Sequence, residues 1–347
     1  MTIEQAISER AAAAPITDEF RLRTFVDKLA EAGDLSIETG AVQLGDVAGR
    51  MEAEPRASLF TNIGGTGEEL VGNVIGSRAR LALALGTTPD GALAELTARL
   101  ARPGELVEYA SADAPVHQVI QTGDDIDLTA FPVHLQHEFD GAPYISAAYD
   151  VSRKANAEHF NLGCRRLMLR GKRTTGVDLN APSDLRVRYL AAVEAGERLP
   201  VAFVVGSHPL DYLGATMQGQ DDELRLLSSL RGAPLPVVKC VTQDLLVPAD
   251  CEIVLEGYLD PAGYVEREGP YGEYMGFYGE TKLNPLFHVT AITRRSDALF
   301  QTVTISGKKL ARTDTAQLAS LATEIKLWDV LSRAVKQPVA VYDVPSS

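Results

Sequence analysis

Hydrophobic positions recur at helical spacing early in this chain and at strand spacing later. Thr17 and Asp18 look like helix-start residues. Phe20, Leu22, Phe25, Val26, Leu29 and Ala32 then fall mostly on one face, and Gly33 follows as a stop, so an amphipathic helix is predicted here. The Ala-rich stretch before it, residues 1–17 with a break at Pro15, reads as a loosely attached helix or arm. Ala57 to Ile63 and Glu69 to Ile75 read as two strands around the turn Gly64-Gly65-Thr66-Gly67. Residues 77–101 are Ala- and Leu-rich and helical, with a break at Gly86 to Gly91, so the chain opens as a mixed α/β unit.

Pro103-Gly104 and Ala114-Pro115 mark a change. From Val116 onward the apolar segments are short and strand-like: 116–121, 144–152, 163–171, 201–206, 235–241, 252–258 and 286–294. Helical stretches interrupt them at Ser183 to Glu194 and Asp221 to Ser229, which suggests an antiparallel sheet or barrel carrying helical excursions. A long helix is predicted from Asp314 to Val335, with Leu318, Leu321, Ile325, Trp328 and Leu331 on one side, ended by Gln337-Pro338. Val339 to Val344 reads as an apolar strand entering a domain that does not follow, as in a chain cut short or a naturally split protein.

One stretch fits neither period: Glu266-Arg-Glu-Gly-Pro-Tyr-Gly-Glu-Tyr-Met-Gly-Phe-Tyr278. Glu266, Glu268 and Glu273 lie close together, glycines and a proline break regular structure, and the aromatic residues offer an apolar wall. A shaped loop that holds carboxylates against such a wall suits general acid catalysis. The plain alternative is a surface turn with solvated glutamates.

Composition narrows the class. The 347 residues are 45% hydrophobic and 23% charged, as in a globular protein of one large or two smaller domains. A net charge of −14 argues against nucleic-acid or anionic-membrane partners, although a local basic pocket for a small anion remains compatible with it. No apolar run approaches the ~20 residues that span a bilayer, and Met1 to Glu19 shows no signal core. Three widely spaced cysteines, Cys164, Cys240 and Cys251, suit a reducing compartment, so the cytoplasm is expected.

Other candidates are weaker taken alone. His134 and His137 lie three apart in a loop after Pro132 without a carboxylate motif. The Gly64 to Gly67 run has no following Lys-Ser/Thr and is read as a turn. In His159-Phe-Asn-Leu-Gly-Cys-Arg-Arg166, alternation puts Asn161 and Arg165 on one strand face and Cys164 and Arg166 on the other, unless a bulge intervenes. An inward arginine must meet an anion, either a protein glutamate or a substrate carboxylate gripped bidentately. Asp184, Asp222 and Glu223 stand at predicted helix starts, where they serve as caps and dipole partners or as oxygen ligands of Mg²⁺ or Mn²⁺.

Taken together, Glu268-Gly-Pro-Tyr-Gly-Glu273 with Gly276, Val247-Pro248-Ala249, Glu252 to Gly257, Asn161 to Arg166, Leu199 to Ala202 with Gly206 and Pro209, Ile292 to Arg295 and Gly72 to Gly76 resemble the UbiD-like family of prenylated-FMN-dependent decarboxylases, in order over roughly residues 20–345. The resemblance implies an α+β fold class: an N-terminal α/β domain (1–115), a split, flavin-reductase-like β-barrel that binds cofactor (116–312), and a linker helix with the first strand of a missing C-terminal domain (313–347). It implies reversible, non-oxidative decarboxylation of an aromatic, heteroaromatic or α,β-unsaturated acid. Arg166, Glu268 and Glu273 match the catalytic residues. Asn161, Gly163, Cys164, Arg165, Arg166, Ala215, Thr216, Met217 and Glu223 match cofactor-binding positions, the 215–217 backbone holding K⁺. Asn161, Asp184 and Glu223 match the ligands of Mn²⁺ or Mg²⁺, with Asp184 where the family has histidine.

The implied partners are a small carboxylic acid, a flavin prenyltransferase that supplies the cofactor, a second subunit that supplies the C-terminal domain, and further copies of the full-length form. Two other functions compete. One is a non-catalytic cofactor-binding or assembly subunit of a split enzyme. The other is a flavin-binding oxidoreductase.

Overall fold

The computed structural model describes residues 16–154, 158–217 and 222–345; the N-terminal arm expected before Pro15 lies outside them. The chain begins with α1 (Leu22–Glu31), β1 (Leu35–Glu38), α2 (Val47–Ala53), β2 (Ala57–Ile63), β3 (Glu68–Gly72), α3 (Arg78–Ala84), α4 (Ala92–Leu100) and β4 (Leu106–Tyr109). Next come β5 (Val119–Thr122), β6 (Tyr144–Arg153), β7 (Phe160–Leu169), β8 (Thr174–Val177), α5 (Asp184–Ala195), β9 (Leu199–Val205), α6 (Pro209–Thr216) and α7 (Glu223–Arg231). The rest is β10 (Leu235–Lys239), β11 (Leu246–Pro248), β12 (Ile253–Leu259), β13 (Glu266–Glu268), β14 (Tyr271–Gly272), β15 (Tyr278–Gly279), β16 (Lys282–Asn284), β17 (Leu286–Arg294), β18 (Phe300–Gln301) and α8 (Asp314–Ala334).

Six strands close a barrel in the order β12-β9-β6-β7-β8-β17, sealed by the β12–β17 pairing, and β5 extends it beside β17. Side chains alternate between two apolar clusters. Ala148, Leu167, Phe203, Leu255 and Phe287 fill the interior, capped by Leu185 and Tyr189 of α5. Tyr149, Val151, Leu162, Val204 and Val254 point outward and pack on α6 and α7 through Leu213 and Leu227. The N-terminal sheet has the order β1-β2-β3-β18, so the chain returns to it after completing the barrel. Arg21 joins the two parts through Glu252 at 3.1 Å and Asp297 at 2.8 Å. The mixed architecture expected from the sequence, an N-terminal α/β unit followed by a barrel, is the one observed.

Four local expectations change. The first helix begins at Leu22, after a single 3₁₀ turn at Asp18–Phe20, because Arg21 is drawn into its ion pairs. The stretch around Glu268 is not purely loop: β13 pairs with β16 and β14 with β15, in pieces of two or three residues that are too short to show a period. Pro209–Thr216, not anticipated as a helix, forms one, started by a proline at its first turn. Finally, 339–344 makes no strand among the described residues. It runs beside α8, where Ser320 Oγ donates to the Asp343 carbonyl at 2.9 Å. On α8 itself Leu318, Leu321 and Ile325 are buried as expected, whereas Leu331 is exposed.

Candidate active site

The site is assembled around β7. A bulge in the facing strand β6, between Ile145 and Ala148, sits opposite Arg166, while β7 itself keeps a regular alternation. Arg165 and Asn161 accordingly turn to Asp150, and Arg166 turns the other way, toward the β13–β14 segment. Gly163 is required between them: a Cβ there would lie 2.9 Å from the Arg165 guanidinium and 3.0 Å from Asp150.

Arg166 is the hub of the outward group. Its Nε donates to Glu268 Oε1 at 2.8 Å, its Nη atoms reach Glu273 at 3.2 and 3.3 Å, and Nη2 lies 2.9 Å from Asp178. Its guanidinium also lies over the Tyr271 ring, 4.1 Å from the centroid. Burial opposes the Arg166 charge, yet Asp178 and Glu268 hold its pKa above the ordinary arginine value. Glu268 is 1% exposed and also accepts from Tyr144 Oη at 3.1 Å, with Lys282 Nζ 3.8 Å away. Lys282 pairs with Asp178 at 3.1 Å. Burial works to raise the Asp178 pKa, but Arg166 and Lys282 outweigh it and hold this carboxyl below its usual range.

Glu273 differs from Glu268. It stands at the tip of the β14–β15 hairpin, with 28% of its side chain exposed, and it faces a cavity of about 500 Å³. The hairpin is seated on Asp140, which accepts from Gly272 N at 2.9 Å, and on His137, whose ring would collide with any Cβ at Gly272. The cavity is lined by apolar Leu179, Val303, Ile305 and Leu318 and by polar side chains, Arg166 and Glu273 on the one hand and Arg165, Ser183 and Thr216 on the other. A larger cavity, about 560 Å³ between Met51, Gln136 and Arg312, contains none of the three catalytic candidates, so the smaller one is the candidate site.

The Arg165 end of the site is wired differently, through Asp150, Asn161 and Glu223, which do not themselves line the cavity. Asp150 is fully buried; burial pushes its carboxyl up to about 6 against the pull of Arg165, which lies 2.9 Å away. Asn161 Nδ2 donates to Asp150 at 3.3 Å. Glu223, the first residue of α7 and 3% exposed, accepts from Leu162 N at 2.5 Å and meets Lys154 Nζ at 3.3 Å. Asp184 is exposed at the start of α5, where Ser183 supplies the N-cap. No group of three or more His, Cys, Asp or Glu side chains suited to a metal ion occurs among the described residues.

Cys164 lines the cavity with its thiol pushed by burial up to about 12, so it is not a nucleophile there. Ala215 and Thr216 form the last turn of α6, and Met217 is its C-cap; helix-end carbonyls of this kind suit a monovalent cation. His134 is a structural residue, bonded to the Leu135 carbonyl at 2.8 Å and Thr302 at 3.1 Å.

The sequence reading missed Asp178, Lys282, Tyr144, Asp150 and Lys154. Two of these carried a signal. The β7–β8 hairpin places Asp178 across from Arg166, its N–H donating to the Arg166 carbonyl at 3.3 Å, and Glu268 and Lys282 are direct partners in the β13–β16 ladder.

Comparison with known proteins adds to this geometry. Residues 27–100 match a family described as the 3-octaprenyl-4-hydroxybenzoate carboxy-lyase N-terminal domain, and residues 107–309 match the Rift-related domain of the same carboxy-lyase. Among solved structures, an evolved dimeric form of the UbiD-class enzyme HmfF from Pelotomaculum thermopropionicum, in complex with prFMN, is 30% identical, with a TM-score of 0.87 over 94% of this chain and 76% of that one. Vanillic acid decarboxylase (ShVdcCD) from Sedimentibacter hydroxybenzoicus, in open form, is 27% identical with a TM-score of 0.87 over 96% and 73%. An apo 3,4-dihydroxybenzoic acid decarboxylase from Enterobacter cloacae shares the fold at 23% identity, with a TM-score of 0.86 over 96% and 73%.

Proposed function

The chain belongs to the UbiD family of carboxy-lyases, and on that premise we propose that it takes part in the reversible, non-oxidative decarboxylation of an aromatic, heteroaromatic or α,β-unsaturated acid, with prenylated FMN as cofactor. Loss of CO₂ from an sp² carbon leaves a carbanion that no side chain of the site can delocalise; when bound, the prenylated flavin supplies that electron sink. The cavity fits such a group: it has the size of a cofactor pocket and is lined by both apolar and polar side chains. Gly163, Cys164 and Arg165 would line it on one side, and Thr216 of α6 on another. The carbonyls at Ala215, Thr216 and Met217 would hold K⁺.

The observation that carries the reading is the unequal treatment of two carboxylates by one arginine. Glu268 is fixed by Arg166 Nε, Tyr144 and Lys282, away from solvent. Glu273 is held only by the longer Nη contacts and faces the cavity. When a substrate carboxylate approaches Arg166, Glu273 is the partner that gives way. Arg166 then orients the acid bidentately, and Glu273 delivers the proton to the carbon that CO₂ has left. Glu268 keeps Arg166 in place throughout.

The test is to co-express the chain with a flavin prenyltransferase and follow CO₂ release from a panel of aromatic and acrylic acids, with and without a C-terminal α/β domain supplied as a second polypeptide. Glu273→Gln is expected to lose about 10²–10⁴ in kcat, the range of one general acid. Full turnover in that variant removes Glu273 from the role.

Tyr274 lines the cavity and is half exposed, with Phe277 exposed on the same hairpin, which favours a covering partner, so turnover is expected to rise when the second polypeptide is present.

A further inference from the structure

The Arg165 end of the site bears on which counter-charge it can hold. A hard divalent cation of the Mg²⁺ or Mn²⁺ kind needs several oxygens converging at short range. Three features of this end work against that. Both oxygens of Glu223 are engaged, one by Lys154 Nζ at 3.3 Å and one by Leu162 N at 2.5 Å. Asn161 donates its Nδ2 to Asp150, which already has Arg165 as its counter-charge at 2.9 Å, so this pair offers a cation little beyond the Asn161 Oδ1. Asp184 is exposed at a helix start, where a carboxylate is stabilised by the helix dipole without any metal.

The same end is rich in cations. Arg188, one turn after Asp184 on α5, lies within electrostatic reach of Asp150, and its Nη1 is buried without a hydrogen-bond partner. A buried guanidinium nitrogen with no acceptor is costly unless a ligand supplies one. Lys154, Arg165 and Arg188 thus bring three cationic side chains close to Asp150 and Glu223. Arginine and lysine together are a common solution for phosphate.

We propose that this end of the site receives the flavin phosphate through Lys154, Arg165 and Arg188, and that Lys154 takes the place of a divalent ion as the counter-charge of Glu223. The inference rests on the flavin reading above but does not depend on turnover.

It is tested with FMN itself as the probe, its binding to the full chain followed by quenching of flavin fluorescence, once in EDTA and once in excess Mn²⁺. Equal affinity in the two conditions is expected. Lys154→Met is expected to weaken binding about tenfold, the usual loss for one charge-assisted contact. The double variant Lys154→Met with Glu223→Gln removes the pair together, so that no buried carboxylate is stranded, and is expected to bind as weakly; Lys154→Arg is expected to restore binding. The native mass of protein co-expressed with a flavin prenyltransferase should show cofactor without a divalent ion.

FMN binding that appears only with Mn²⁺, or that tightens about tenfold on its addition, overturns the inference and leaves the flavin reading intact. So does a folded double variant that binds as the parent does. Absence of FMN binding in both conditions overturns the flavin reading itself, and this inference with it.

Discussion

Strand β7 serves two charge clusters of different make-up. On its outward face Arg166, helped by Lys282, meets three carboxylates: Asp178, Glu268 and Glu273. Toward its other end, Arg165, Arg188 and Lys154 meet two, Asp150 and Glu223. The difference is chemical. In the first cluster three carboxylates share one guanidinium, which holds Glu273 only at 3.2 and 3.3 Å. In the second, three cationic side chains stand near two buried carboxylates, the arrangement on which the proposed phosphate contact rests. Alternation along one strand, with no bulge on β7 itself, keeps the two clusters apart although Arg165 and Arg166 are neighbours.

Removing the hub should expose this contrast most strongly. Arg166→Met strands Glu268, which is 1% exposed, and is expected to cost about 3–5 kcal/mol in a denaturant melt, as for one partner lost from a buried pair. A loss under about 1 kcal/mol, the size of a surface pair, would mean that the carboxylates are not coupled through it.

Asp178 comes next. Its carboxyl is held below the usual range because Arg166 and Lys282 outweigh burial. Its stabilising contribution is therefore fully present above the unfolded pKa of about 3.9 and is lost as pH falls through the lower folded value. Asp178→Asn is expected to cost about 1.5–3 kcal/mol at neutral pH, the loss of a hydrogen bond to a charged group. Parent and variant should converge in acid. Parallel pH–stability curves for the two proteins would rule out this linkage.

The smallest effect belongs to Lys282. With 27% of its side chain exposed and 3.8 Å to Glu268, Lys282→Met should change stability by no more than about 1 kcal/mol. A larger loss would make Lys282 a second hub and blur the distinction between the clusters.

The sequence made the outward cluster more legible than the other. Glu268 and Glu273 sit within one punctuated motif, and the alternation rule separated Arg166 from Arg165. Their company was hidden because it comes from register. Asp178 faces Arg166 only once the β7–β8 hairpin is closed, and Lys282 faces Glu268 only in a three-residue ladder. Lys154 and Arg188 were harder still: one follows β6, the other lies on a helix that caps the barrel, and no spacing links them. Pro209–Thr216 escaped as a helix because a proline-led, Gly-containing run of eight residues looks like a turn. The 339–344 segment shows the converse: its apolar, β-branched residues read as a strand, yet it runs beside α8 without strand pairing, because β-propensity is decided by context.

The last strand of the N-terminal sheet bears on how the protein is made. Phe300 pairs in parallel with Leu70, so the edge of β3 stays open until the whole barrel has left the ribosome. At bacterial-to-eukaryotic elongation speeds that interval is on the order of tens of seconds. During it, the nascent chain presents an unpaired apolar edge of the kind that recruits other strands. Synthesis of this protein therefore has a vulnerable window that closes only when Phe300 and Gln301 arrive, and a chaperone that shields β3 would have its largest effect there.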